Sequence, residues 1–210
     1  MSTDNLRAVA ERLQDHPNVS ILTGAGISAA SGVPTFRGED GLWEEFDPQE
    51  LASPQGFRND PEKVWKWYDE RRQSIVDVEP NQGHEVLAKW SRRLDQFTLL
   101  TQNVDDLHER PGTENIVKLH GSIWHVSCWD NCENSPDQWE HRDTPLGTIP
   151  PRCPHCEGLL RPEVVWFGES LDPKVLEAAG RATDCDLFFT IGTSAEVHPA
   201  AGFIQEADRG

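Results

Sequence analysis

The sequence predicts an α/β fold in which a parallel β-sheet carries helices on both faces, together with a small insert module that binds zinc. Short apolar runs alternate with stretches of helical periodicity along the 210 residues, which is typical of parallel sheets. Polar clusters directly follow several of these runs, and ligands of open α/β sheets bind outside the carboxyl ends of strands. Two cysteine pairs within residues 128–156 interrupt the alternation and indicate a zinc-binding insert module.

The N-terminal elements are a helix, a strand and a long loop. Apolar residues at helical spacing predict the first helix: Leu6, Val9, Ala10 and Leu13. Residues 19–23 form a short apolar run that predicts a buried strand and leads into a glycine turn. Residues 33–60 are rich in proline, glycine and charge, so we expect a long ordered loop there.

The remaining elements alternate between helices and strands. Asp60 can cap a helix that begins at Pro61, and Asn81 can cap another that runs to about residue 94. Strand-like runs lie at residues 97–101, 116–119, 163–167 and 187–191. Further helices are expected at residues 173–181 and 200–207.

This order predicts a single domain over residues 1–210 with two insertions. The parallel-sheet part comprises residues 1–36, 80–124 and 162–210. Residues 37–79 form a helical insert that includes a cofactor loop, and residues 125–161 form the zinc module.

The acidic composition limits the partners of the chain. Its net charge is −17 and it has 19 basic residues, so the surface repels nucleic acid and anionic lipid. The sequence has no apolar run long enough to cross a bilayer and no export signal. We expect a soluble, cytoplasmic monomer without direct nucleic-acid or membrane binding. The excess of acidic groups is also compatible with adaptation to high salt.

Four of the five cysteines form two pairs, Cys128 with Cys132 and Cys153 with Cys156. In a chain without an export signal such pairs favour a metal over disulfides, and four thiolates suit a closed structural zinc site. The x-x-x spacing of the first pair is looser than the usual one, and His155 could replace one ligand. Cys185 stands alone and is expected to be a buried apolar residue.

The residues 24–29, Gly-Ala-Gly-Ile-Ser-Ala, fit the glycine-rich turn G-x-G-x-x-G/A of a Rossmann-like dinucleotide site. The alternative is a tight turn that packs on its neighbours. No acidic residue is cleanly placed about 20 residues later to bind a ribose, which argues against an ordinary dehydrogenase.

Four blocks together resemble the sirtuin family, and the resemblance covers nearly the whole chain. The blocks are GAGISAASGVPTFRG at 24–38, TQNVD at 101–105, LHG at 119–121 and GTS at 192–194. The resemblance implies an NAD-dependent protein-lysine deacylase that acts on acyl-lysine proteins or peptides. Sirtuins usually continue beyond the position of Gly210, so we expect either a truncation or fewer adenosine contacts.

The resemblance also implies a role for individual positions. His120 would be the general base and Asn103 a second catalytic residue. NAD would contact Gly24, Ala25, Gly26, Ser28, Phe36, Arg37, Gln102, Asn103, Asp105, Gly192, Thr193 and Ser194. NAD would be a co-substrate that accepts the acyl group and releases nicotinamide.

Residue chemistry supports these roles independently. Histidine titrates near neutral pH and can accept a hydroxyl proton, and His120 follows a strand and precedes a glycine. Asp105 could instead serve mainly as a cap for the residues that follow it. The other histidines in the parallel-sheet part, the zinc module and the C-terminal segment are expected to be ordinary core or surface residues: His16, His84, His108, His141 and His198.

Three residues resemble the pattern of sirtuins that prefer acidic acyl groups such as succinyl and malonyl. Tyr68 and Arg71 would share a helix face and bind the terminal carboxylate, and Ala29 would open the acyl pocket. The alternative is a packed tyrosine and a solvated arginine. Arg72 is expected to face solvent, and Ala30 departs from the acidic residue often found there. Val165 and Phe167 lie in a docking segment, residues 163–168, that resembles the family's peptide-docking strand.

Three other functions use the same features. A mono-ADP-ribosyltransferase or NAD hydrolase would share the cofactor chemistry but would not form acyl-ADP-ribose. A module that only senses NAD would not need Asn103, Asp105 and His120. A dehydrogenase is disfavoured by the zinc insert.

Overall fold

The computed structural model describes residues 3–15, 17–38 and 41–209, so the expectation for His16 lies outside the described residues. The strands are β1 Val19–Thr23, β2 Phe97–Thr101, β3 Ile116–Lys118, β4 Gly121–Cys128, β5 Trp139–Glu140, β6 Leu160–Val164 and β7 Leu187–Ile191. The helices are α1 Thr3–Gln14, α2 Gly26–Ala29, α3 Leu42–Glu45, α4 Pro48–Leu51, α5 Pro54–Asn59, α6 Pro61–Val76, α7 Gln82–Ser91, α8 Pro173–Ala182 and α9 Ala200–Ala207.

Four parallel strands form the larger sheet in the order β3-β2-β1-β7. Successive side chains of a strand point to opposite faces, and both faces of this sheet are covered. Ile21 packs on one face with Leu87 of α7, whereas Leu22 packs on the other with Ala179 of α8 and Phe203 of α9. Every residue of β1 is buried, as expected for a central parallel strand.

The insert between β1 and α7 is more regular than expected. Residues 33–60 contain the three short helices α3, α4 and α5, so the prediction of a long loop was wrong for this part. Side-chain caps stabilise the starts of two of these helices. Asp47 accepts a hydrogen bond from the Gln49 N–H at the start of α4, and Ser53 accepts one from the Gly56 N–H at the start of α5. The helix after β1 is shorter than a Rossmann-like motif suggests, since α2 has only four residues.

A second, antiparallel sheet has the order β5-β4-β6. This sheet extends from Gly121 to Val164 and is therefore longer than the module predicted at residues 125–161. Its ends, residues 121–124 and 162–164, had been assigned to the parallel-sheet part. The extended segment expected at 163–167 forms a strand earlier, in β6. The sheet packs on α6 through Trp65, whose Nε1 donates to the Leu160 carbonyl at 2.7 Å.

The fold places four functional segments at one edge. The strands β1, β2, β3 and β7 are parallel, so the residues that follow them meet at their common carboxyl end. These are Gly24, Gln102, His120 and Gly192 with their neighbours. No helix of the described chain combines the length and the apolar character that crossing a bilayer requires.

Candidate functional site

A cavity of about 840 Å³ opens at this edge of the parallel sheet, with α6 and the segment after β6 on its other side. Its size lies within the range of small-molecule sites. The predicted catalytic residue His120 lines it, as do most predicted cofactor residues: Gly24, Ala25, Gly26, Phe36, Arg37, Gln102, Asn103, Gly192, Thr193 and Ser194. The predicted substrate residues Tyr68, Arg71, Val165 and Phe167 line it as well.

The glycines let two turns interlock at the base of the cavity. A Cβ atom at Gly24 would lie 2.7 Å from the Thr193 Cβ, and one at Gly26 would lie 2.8 Å from the Gly192 carbonyl oxygen. Gly192 has a φ of +63°, and a Cβ there would lie 2.3 Å from the Ile27 nitrogen. Close packing between the turns therefore requires glycine. This packing is compatible with the predicted dinucleotide role because both turns also line the cavity.

His120 is held as a neutral base. Its Nδ1 lies 3.1 Å from the Gln102 carbonyl oxygen, which can only accept, so Nδ1 carries the proton and Nε2 keeps a free lone pair. Burial lowers the pKa of His120 below its usual 6.5, the hydrogen bond to Gln102 opposes this shift, and Arg37 reinforces it. An imidazole in this state can accept a hydroxyl proton at neutral pH.

A buried polar network lies beneath the cavity. The Asn103 Nδ2 donates to the Ser28 hydroxyl at 3.1 Å, and that hydroxyl donates to Asp105 at 3.0 Å. Asp105 also accepts from the Leu107 N–H, so the capping role and the network role coexist. Ser28 and Asp105 do not line the cavity, and burial raises the pKa of Asp105. These two residues therefore orient Asn103 from below rather than contact a ligand in this conformation.

The side-chain oxygen of Asn103 is available to accept a hydrogen bond from a ligand. Its Oδ1 is buried and has no hydrogen-bond partner within the described residues. A buried amide oxygen without a partner is costly, and a donor on a bound ligand would satisfy it. The carboxamide of a nicotinamide is one such donor, so the residues present fit this end of NAD.

Two further contacts shape the cofactor side. Gln102 donates through Nε2 to the Thr193 hydroxyl at 2.8 Å and thereby joins the turn after β2 to the turn after β7. Arg37 forms an exposed ion pair with Glu196 at 3.7 Å. The ring of Phe36 lies 5.3 Å from that of Trp43, which fixes its loop against the insert.

The other side of the cavity is aromatic and contains one unpaired cation. The Arg71 guanidinium lies 5.0 Å from the centre of the Phe36 ring and 5.9 Å from that of Trp67, and the residue is 7% exposed. No carboxylate of the described chain forms an ion pair with it. Burial lowers the pKa of Arg71, which nevertheless remains a cation at neutral pH.

Two predicted positions differ in the structure. Ala29 is exposed and does not line the cavity, so the prediction that it opens the acyl pocket was wrong. Arg72 is fully buried instead of solvent-exposed, because its guanidinium packs over the rings of Trp65 and Trp124 and its Nε donates to the Ile123 carbonyl at 2.8 Å. Burial lowers the pKa of Arg72 to about 10.

A small residue that lines the same cavity as Tyr68 and Arg71 is Ala52, which the sequence analysis missed. Ala52 lies between α4 and α5, is buried and lines the cavity. Its carbonyl accepts a hydrogen bond from the Phe167 N–H at 2.8 Å, so it is fixed to the segment after β6. The only sequence signals near Ala52 are the helix caps Asp47 and Ser53, which could have predicted that the segment around it is ordered.

Val165, Trp166 and Phe167 of the predicted docking segment all line the cavity. The Val165 N–H donates to the His120 carbonyl at 3.0 Å, and the Phe167 N–H donates to Ala52. The segment is therefore fixed on both sides of the cavity, next to the base.

The four paired cysteines converge. Their Sγ atoms all lie within 4.8 Å of one another, and two cross-pairs, Cys128 with Cys156 and Cys132 with Cys153, are separated by 3.6 and 3.9 Å. Tetrahedral zinc with Zn–S bonds of about 2.3 Å requires sulfur atoms about 3.8 Å apart. The cluster therefore fits a closed zinc site. Neither His155 nor the half-buried Cys185 belongs to this group.

Comparison with known proteins gives consistent results. A sequence model of the Sir2 family matches residues 24–199. An NAD-dependent protein deacylase of Aquifex aeolicus (strain VF5) is 51% identical over 185 residues, which cover 88% of this chain and 76% of that protein. The NAD-dependent protein deacylase 1 of Archaeoglobus fulgidus is 51% identical over 181 residues, with coverages of 86% and 72%. The crystal structure of a Sir2 homologue in complex with NAD superposes with a TM-score of 0.85 at 44% identity, covering 100% of this chain and 79% of that chain.

Proposed function

Because the chain belongs to the Sir2 family, we propose that it is an NAD-dependent protein-lysine deacylase that prefers acidic acyl groups, succinyl and malonyl, to acetyl. The family membership and the names of the relatives support the deacylase activity. The preference for an acidic acyl group rests on one observation, the buried and unpaired guanidinium of Arg71 in the cavity wall.

An unpaired cation in a desolvated wall is expensive to maintain. The Arg71 guanidinium packs on two aromatic faces, which attract a cation without satisfying its N–H donors. The Asp105 carboxylate acts on the guanidinium only through space, without forming an ion pair with it. A carboxylate at the end of an acyl chain would accept two of those donors in a bidentate pair and neutralise the charge. An acetyl group would leave the cation as it is.

Tyr68 complements this charge. It lies one helical turn before Arg71 on α6 and lines the same cavity. Burial raises the pKa of Tyr68 to about 12, so the phenol is neutral and retains its proton at neutral pH. A neutral phenol and a guanidinium both donate, which suits an acceptor such as a carboxylate.

In the proposed reaction, NAD occupies one side of the cavity and the acyl-lysine substrate occupies the other. NAD, as co-substrate, supplies the ADP-ribose group that accepts the acyl group and gives up nicotinamide. His120 accepts a proton at Nε2, Asn103 offers a free amide oxygen, and the segment of Val165 and Phe167 lies beside the base for the substrate peptide. We further propose that the protein acts as a cytoplasmic monomer.

The test compares matched peptides carrying acetyl-, malonyl- or succinyl-lysine, with acyl-ADP-ribose identified by mass. Arg71→Met should lower the ratio of succinyl to acetyl kcat/KM by about tenfold or more, since a hydrogen-bonded ion pair to the carboxylate is lost. Lys66→Met removes a positive charge from the exposed face of the same helix and should leave the ratio unchanged. An unchanged ratio in Arg71→Met would refute the acyl preference, and NAD cleavage without acyl-ADP-ribose would refute the deacylase.

A further inference from the structure

Trp166, to which the sequence analysis assigns no role of its own, lines the acyl side of the cavity. Trp166 is 2% exposed and lies between Val165 and Phe167 in the docking segment. Its indole Nε1 donates a hydrogen bond of 2.9 Å to the Tyr68 hydroxyl oxygen. An indole N–H can only donate, so in this pair the phenol oxygen is the acceptor.

This contact determines what Tyr68 can offer to a ligand. A phenol has one proton to donate, and with its oxygen occupied by Trp166 that proton is available to a different acceptor. Among the described residues, none accepts a hydrogen bond from the Tyr68 hydroxyl. The hydroxyl is therefore directed to act as a donor, whereas a free phenol could accept as readily as donate.

The position of Trp166 is itself fixed from three sides. Its backbone N–H donates to Glu169 at 2.8 Å. The Arg161 guanidinium lies 3.9 Å from the centre of the indole ring and forms a bidentate pair with Glu169. Phe57 packs at a ring distance of 5.3 Å. An indole held in this way has little freedom to rotate its N–H away from the phenol.

We propose that Trp166 is a specificity-determining residue that fixes the Tyr68 hydroxyl as a donor toward the carboxylate of an acidic acyl group. It is a positioning residue that acts through Tyr68. This inference rests on the proposed preference for acidic acyl groups, and it adds a residue from the docking segment to the two on α6.

The experiment measures kcat and KM on acetyl- and succinyl-lysine peptides for the wild type, Trp166→Phe, Tyr68→Phe and the double variant. Trp166→Phe should lower the ratio of succinyl to acetyl kcat/KM by about five- to tenfold, because one hydrogen bond to a charged group is weakened. The loss should lie mainly in KM for the succinyl peptide. In the Tyr68→Phe background the Trp166 substitution should have no further effect on the ratio.

Two controls separate positioning from general damage. Trp129→Phe changes another indole of the same aromatic cluster, 6.2 Å from the Trp166 ring, and should leave the ratio unchanged. If Trp166→Phe does not fold, 3-benzothienylalanine at position 166 replaces the N–H by sulfur with almost the same ring shape, and the same fall in ratio is expected.

The outcomes distinguish the two proposals. A wild type without a preference for succinyl refutes the proposed acyl preference and this inference with it. A wild-type preference that Arg71→Met abolishes but the substitutions at Trp166 leave intact overturns this inference alone. An equal loss from the Trp166 substitution with and without Tyr68 also overturns it, because the effect then does not pass through the phenol.

Discussion

The two walls of the cavity are built from different parts of the protein. The cofactor wall consists of residues that directly follow the parallel strands, and its base is formed by glycines whose backbones interlock. The acyl wall comes from α6, the segment around Ala52 and the docking segment, and it consists of aromatic side chains around one buried cation. The first wall is therefore defined by the backbone and the second by side-chain packing.

This difference separates the functions of the two walls. A change in the cofactor wall acts on the chemistry that all acyl groups share, so it should lower every rate in proportion. A change in the acyl wall should alter the ratio between acyl groups. Measurements on paired peptides can therefore test the division directly.

The largest expected effect comes from the cofactor wall. His120→Ala removes the base and should lower kcat/KM by about a thousandfold on acetyl and succinyl peptides alike, within the usual range for a general base. Binding of ADP-ribose, measured by calorimetry, should persist because the glycine turns are unchanged. A loss confined to one acyl group would contradict the division between the walls.

The next effect concerns the acyl wall. Ala52→Leu should reduce the cavity that Tyr68 also lines and lower the succinyl-to-acetyl ratio of kcat/KM by about tenfold, since overfilling a packed site costs about 1–3 kcal/mol. Ala29→Leu is the matched control, because Ala29 is exposed outside the cavity and its change should leave the ratio as it is. Equal effects of the two substitutions would show that Ala52 does not limit the acyl group.

The smallest expected effect is on the pH dependence. The base must be neutral, and burial lowers the pKa of His120, so activity is retained below the usual histidine range and is lost only as the pH falls through the lowered pKa. The acid limb of kcat/KM should have its midpoint below 6.5, at the same pH for both peptides. Profiles recorded from about pH 5.5 to 8 test this. A midpoint above 6.5 would show that burial does not control the base.

The sequence predicts the cofactor wall well because its residues are contiguous with strands. The turn at Gly24 follows the apolar run of β1, and His120 follows β3 closely, so local patterns suffice to bring them together. The comparison with solved structures confirms the Sir2 fold with its parallel sheet and cysteine module.

The acyl wall is less predictable because contacts between distant segments decide it. Arginine is usually a surface residue, and the burial of Arg72 depends on the Trp65 ring of the same helix and on contacts with distant segments: the Trp124 ring, the Ile123 carbonyl and His141. Ala52 carries no chemical signal of its own, and its position at the cavity depends on the hydrogen bond that its carbonyl accepts from the Phe167 N–H. The helices α3 and α4 have four residues each, too few for a hydrophobic period to be recognised.

The interlocked turns at Gly24 and Gly192 have a consequence for affinity. The Gly24 N–H donates to the Ile191 carbonyl and the Gly26 N–H to the Gly192 carbonyl, so segments nearly the full chain apart form one rigid surface. A dinucleotide that spans both turns meets a preorganised floor and loses little conformational entropy of the protein on binding. A side chain at these glycines would separate the two turns, and we expect it to weaken the binding of a dinucleotide that contacts both.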